Sequence, residues 1–187
     1  MRHKIILATA IAAVTVAYPF AVYFGIQYLT VSTLSLVLFS LLLLRLLILG
    51  NYKQLPQLIP VMLVGILCLF AAWFNSEILL RYYPVLMNLL FSIFFALSLI
   101  SEQSLIERFV SPFKKEISVH AKRYMRGLSK IWALLLLLNA GAAFYTACCL
   151  SISQWALYNG AIVYLGFAVF TMFEFAYRQY YKSKYEN

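Results

Sequence analysis

The chain has 187 residues, 64% of them hydrophobic and only 11% charged, with a formal net charge of +9. A water-soluble fold of this length has too little interior to hide so much apolar surface, which excludes an ordinary soluble domain and makes a bilayer the natural solvent. The 15 Lys and Arg fall between apolar runs instead of forming a basic soluble face, which argues against nucleic acid as a partner.

Six stretches are long and apolar enough to be spanning helices, at about 5–28, 30–49, 58–74, 83–100, 131–150 and 155–177. They are continuous runs, not ten-residue alternations, so helices are expected and a membrane β-barrel is not. The first opens with "MRHKIILATAIAAVTVA", which has the basic start and small residues of a signal peptide, but its apolar run continues through "YPFAVYFGIQYL". That length favours an uncleaved helix. Pro19 is expected to kink it, with Thr15 four residues earlier helping to satisfy the freed carbonyl region.

Ser101–Ser129, between the fourth and fifth runs, is too short for an independent domain, so residues 1–187 read as one transmembrane domain with a basic loop at 101–129. Within "EISVHAKRYMRGLS", Ile117, Ala121, Tyr124, Met125 and Leu128 recur at helical spacing, apart from Lys122, Arg123 and Arg126. This predicts an amphipathic helix on the inner leaflet, its cations meeting anionic headgroups or a partner protein; a plain basic loop that only sets topology is the alternative.

Placing the N-terminus in the cytoplasm puts fourteen of the 15 basic residues on the inner side and only Arg81 outside. Tyr28, Trp73, Tyr82, Tyr83, Trp155 and Tyr158 then mark the outer headgroup level, and Tyr52, Tyr124, Trp132, Tyr177, Tyr180 and Tyr181 the inner one. The outer connections are very short. The expected fold is therefore all-α: a polytopic integral membrane protein of six transmembrane helices in three antiparallel hairpins, with cytoplasmic N- and C-termini.

The sequence holds no HExxH, no GxSxG, no phosphate-binding glycine loop and no CxxC pair, and neither His3 nor His120 has a carboxylate partner implied by spacing. No catalytic residue, cofactor site or metal site is expected. Cys68, Cys148 and Cys149 read as small apolar packing residues.

Among ionisable residues within the runs, Arg45 and Glu174 form a candidate ion pair, with pairing of Glu174 to Arg178 as an alternative; both sit near the inner interface, where simple anchoring also accounts for them. Asn88, Asn139 and Asn159 are amides in hydrocarbon and need partners on neighbouring helices. With Tyr145, and with Tyr83 and Thr146 nearby, they form a candidate intramembrane polar cluster, either packing glue or a small outer pocket. Gly141, Ala142, Ala143, Gly160 and Gly166 are expected to let helices approach closely.

"LLRYYPVLMNLLFSIFFALSL", "SLIERF", "KIWALLLLLNAGAAFYTA" and "SQWALYNG" together resemble a family of uncharacterised bacterial inner-membrane proteins that is distantly similar to intracellular septation protein A. The pattern is Pro84 and Asn88 opening one helix, a turn with Leu105, Ile106 and Arg108, a helix with Asn139 and Tyr145, and a last helix begun by Trp155. The resemblance covers about 58–177, and "AYPFAVYFG" looks like the same family's first helix. Septation-protein relatives carry a lysine soon after the last Trp, where this chain has Tyr158, Asn159 and Gly160.

The resemblance implies a bacterial inner (cytoplasmic) membrane location, no enzyme activity and no cofactor. Similar proteins often accompany acyl-carrier and ketosynthase genes of polyene-type lipid pathways. Two functions are expected. One is a non-enzymatic envelope accessory or scaffold factor that engages a membrane-protein partner or a second copy of itself. The other is a small transporter or lipid-handling protein of an acyl or polyene lipid pathway.

Overall fold

The computed structural model of the protein describes residues 18–49, 55–113 and 117–185. Every regular element among them is helical. In chain order these are α1 (18–28), α2 (Val31–Leu49), α3 (Leu55–Phe74), α4 (Glu77–Arg81), α5 (Tyr83–Ser98), α6 (Leu105–Val110), a 3₁₀ turn (Ser111–Phe113), α7 (Val119–Cys149), α8 (Ile152–Leu157), a π turn (Tyr158–Ile162) and α9 (Val163–Tyr185). Three helical stretches are long and apolar enough to cross a membrane: Glu77–Ser98, Val119–Cys149 and Ile152–Lys184. Two shorter apolar helices, Val31–Leu43 and Ile59–Phe74, accompany them.

Large apolar side chains point outward along these helices, including Met172 and Phe173 at 72% exposure and Leu165 at 66%. Hydrocarbon, not water, is the solvent that fits such a surface.

The described residues fall into two compact units. One runs up to Leu86 and includes Ala142–Tyr164; the other comprises Met87–Gly141 and the residues from Leu165 onward.

In the first unit the start of α2 meets the end of α3: Ser32 Oγ donates to the Ala72 carbonyl at 2.8 Å, and Gly65 leaves room for the Phe39 ring. Asn75 ends α3 with a positive φ of 47°, a conformation asparagine tolerates, and Ser76 N–H closes the turn on the Ala71 carbonyl at 3.2 Å. The Asn75 side chain then accepts from Ser32 N–H and Oγ, both at 3.1 Å.

The core of this unit gathers Val22, Leu34, Ala71, Leu80, Ala147, Trp155 and Ala156. Trp155 is fully buried, and its indole N–H donates to the Arg81 carbonyl at 3.1 Å. The break between α4 and α5 leaves that carbonyl without a helical partner, and Tyr18 Oη takes the neighbouring Leu80 carbonyl at 3.1 Å.

Arg81 also turns inward, its side chain only 15% exposed. Its guanidinium pairs with Glu77 and donates to the Ala147 and Leu150 carbonyls at 3.4 and 3.0 Å, capping the last turn of α7. Arg81 Nε is buried without a hydrogen-bond partner among the described residues.

Ser151 caps α8 in a reciprocal capping box with Gln154. In the π turn that follows, the Asn159 side chain donates to the Trp155 carbonyl at 2.9 Å, and Gly160 lies so close to the Phe20 ring that any β-carbon there would collide with it. Gly141 and Gly166 make no such approach: a β-carbon on either meets nothing within 4 Å among the described residues. The small residues that α7 buries are Ala140, Ala143 and Ala147, at 2%, 0% and 1% exposure.

In the second unit α5 and α7 are joined by Ser92 Oγ donating to the Ala133 carbonyl at 2.7 Å. Residues 119–129, expected as an interfacial helix, are the opening turns of the 31-residue α7. No glycine turn or proline interrupts the helix between them and the apolar run, so backbone hydrogen bonding carries straight through. The 101–129 segment also contains α6, whose first turn is capped by Ser104.

The three cysteines, expected as packing residues, have different surroundings. Cys68 is buried, but Cys148 and Cys149 are exposed on the last turn of α7, where Cys148 Sγ lies 3.4 Å from Tyr82 Oη. The kink expected at Pro19 turns on residues such as Thr15 that lie outside the described ones.

Candidate functional site

The second unit holds a cleft of about 490 Å³. Sites for small molecules span roughly 300–1,000 Å³. From α7 come Arg123, Tyr124, Gly127, Leu128 and Ile131; from α9 come Phe170, Phe173, Glu174, Tyr177 and Tyr181. On each helix these recur at three- and four-residue steps, the spacing of one helical face. That double periodicity, with an acid set in an aromatic stripe, is the sequence signal that would have marked the site.

The lining is graded. Ile131, Leu128, Phe170 and Phe173 form one end, while Arg123, Tyr124, Tyr177 and Tyr181 lie toward the other. On α7, Arg123 and Ile131 are separated by roughly 12 Å of helix at 1.5 Å per residue. Gly127 opens the wall between them, since a β-carbon there meets nothing within 4 Å among the described residues. Trp132 backs the apolar end, 5.1 Å from the Phe170 ring, 5.6 Å from Phe167 and 6.4 Å from Phe95.

Glu174 is the charged centre of the cleft, its side chain 11% exposed. Tyr124 Oη donates to its Oε1 at 2.8 Å, and Arg178 Nε lies 3.7 Å from the same oxygen. Oε2 accepts no hydrogen bond among the described residues. The Tyr124 ring is held by Tyr181 at 5.0 Å and Tyr177 at 6.1 Å, and Tyr181 Oη donates to the His120 carbonyl at 3.4 Å. The Arg45 side chain, the other expected partner of Glu174, lies outside the described ones.

The three cations expected at a lipid or partner surface have different fates. Lys122 Nζ lies 4.0 Å from Glu107, a carboxylate that α6 buries to 4% exposure and that sequence reasoning missed. Arg126 donates to the Leu99 and Ser101 carbonyls, the latter at 3.0 Å, closing the chain after α5. Arg123 is exposed and forms no ion pair among the described residues.

The candidate polar cluster divides by partner. In the second unit Asn139 Nδ2 donates to Asn88 Oδ1 at 3.0 Å. In the first, Asn159 Nδ2 donates to Thr146 Oγ1 at 3.1 Å in addition to the Trp155 carbonyl. Tyr145 is 59% exposed and joins neither set of bonds. Among the described residues, no group of three His, Cys, Asp or Glu side chains is placed to hold a metal ion.

Described residues whose regular elements are all helical, three of them of membrane length, with outward apolar faces, fit the class of helical membrane proteins. Beyond that class, no protein-family model, no curated protein and no solved structure matches the chain.

Proposed function

We propose that the protein is a six-span bacterial inner-membrane protein, with both termini cytoplasmic and its helices in three antiparallel hairpins, that binds a lipid in the cleft between α7 and α9. The single observation behind the lipid reading is the cleft's gradient from Ile131 and Phe170 to Glu174 and Arg123, which matches an acyl chain and a polar head. Three membrane-length helices, two shorter apolar ones and the one-sided distribution of basic residues support the six-span topology. The resemblance to inner-membrane proteins encoded beside acyl-carrier genes points the same way.

A scaffold role acting through Lys122, Arg123 and Arg126 has less support, because Lys122 and Arg126 already have partners within the second unit. It rests on Arg123 and on the exposed Lys182 and Lys184.

Filling the cleft tests the lipid reading. Gly127→Leu adds a side chain where space is open, so the helix keeps its fold while the ligand loses its place. Lipid retained through purification, counted by native mass spectrometry, falls about ten-fold in this variant if the site is right. Unchanged retention removes the site from consideration.

A further inference from the structure

We propose that the cleft selects a headgroup, and that its ligand is a glycerophospholipid with a primary amine, the ammonium at Glu174 and the phosphate at Arg123. The inference rests on the cleft being a lipid site.

Glu174 carries the argument. A carboxylate only 11% exposed is costly to hold unless both of its oxygens are satisfied. Tyr124 and Arg178 both address Oε1, and Oε2 receives no hydrogen bond among the described residues although the residue lines the cleft. Arg178 is itself 42% exposed and sits over the Phe175 ring, so it reaches Glu174 from one side and leaves the second oxygen open. The open oxygen has room to accept a further N–H donor, and a cationic one pairs best with a carboxylate. A primary ammonium supplies one; a quaternary ammonium has no N–H to donate. The rings of Tyr124, Tyr177 and Tyr181 add a surface attractive to cations.

Arg123 lies on the opposite wall, lines the same cleft and makes no ion pair among the described residues. A guanidinium binds phosphate oxygens through two parallel N–H donors. An acid on one wall and a base on the other therefore complement a zwitterionic phosphate–amine head. An anionic head would place its charge near Glu174 without the compensating ammonium.

The test uses the full-length protein in detergent, offered an equimolar mixture of phosphatidylethanolamine, phosphatidylcholine and phosphatidylglycerol with identical acyl chains. Bound lipids are counted by native mass spectrometry. Phosphatidylethanolamine is expected to exceed each of the others about ten-fold, the ratio set by one charge-assisted hydrogen bond. Glu174→Gln keeps the shape and is expected to reduce that preference to about one, while Arg123→Gln weakens all three phospholipids together. Equal retention of the three lipids by the unaltered protein overturns the headgroup assignment, as does a preference that survives Glu174→Gln. If the lipids bind without preference and Gly127→Leu removes them, only the headgroup inference fails. If Gly127→Leu leaves all binding unchanged, the lipid site itself fails.

Discussion

In the first unit the charged group turned inward, Arg81, is occupied by backbone: two carbonyls at the end of α7 and the Glu77 carboxylate beside it. In the second unit Glu174, one of two inward acids with Glu107, has one oxygen engaged and one open toward a cleft. Both units cap a helix end with an arginine, Arg81 on α7 and Arg126 on the chain after α5, so the difference does not lie in capping. It lies in what remains after the backbone is satisfied. The spare donor of the first unit, Arg81 Nε, is buried out of reach, whereas the spare acceptor of the second, Glu174 Oε2, belongs to a residue that lines an aromatic cavity.

The contrast breaks most readily at Trp155. Trp155→Ala empties a fully buried site and strands the Arg81 carbonyl, and is expected to cost about 3–5 kcal/mol, read as a fall in the thermal unfolding midpoint in detergent. A loss under 1 kcal/mol, roughly the level of a surface change, contradicts the packing described for the first unit. Arg81→Leu follows, at about 1.5–3 kcal/mol, because it uncaps α7 and leaves Glu77 unpaired. Its counterpart Arg123→Leu, outside any ion pair among the described residues, is expected to move stability by no more than about 0.5 kcal/mol. Comparable losses in the two arginine variants erase the distinction between the units.

Gly160→Ala drives a β-carbon into the Phe20 ring and should lower stability by about 1–3 kcal/mol, whereas Gly141→Ala, facing open space, should be neutral or raise it by up to about 1 kcal/mol. Urea or detergent unfolding of the two variants side by side measures the difference. Asn139→Leu removes the bond to Asn88 and is expected to cost about 0.6–1.7 kcal/mol, the range for an interhelical amide bond in a bilayer; a double-mutant cycle with Asn88→Leu should recover most of it as coupling. Gly127→Leu is expected to give only a small gain, up to about 0.8 kcal/mol from helix propensity, alongside its loss of bound lipid.

Helix positions were legible wherever one apolar run made one helix. The runs at 30–49, 58–74 and 83–100 lie over α2, α3 and α5, because continuous apolar segments in hydrocarbon must satisfy their own backbone. The run at 131–150 found the apolar part of α7 but not its start, since the amphipathic helix expected around Lys122, Arg123 and Arg126 read as a separate element on the leaflet, whereas Val119–Ser129 continues into the apolar run as one helix. The backbone partners of Trp155 and Arg81 were not legible either. Each has an amphipathic side chain that usually marks an interface, and here each found a buried backbone carbonyl first. The need of Asn88, Asn139 and Asn159 for partners was evident from composition, but which partners they take was not.

By itself the sequence determined the solvent and the element type of this protein: 64% hydrophobic residues in long uninterrupted runs leave a bilayer and helices as the physical solution. Only the tertiary structure decided how the few polar groups are used. Hydropathy is a sum along the chain, whereas a hydrogen bond depends on which helix faces are brought within about 3 Å of each other. Arg81 came to lie over free carbonyls and was absorbed by them. Glu174 came to lie beside Tyr124 at the edge of a cavity and kept one oxygen open.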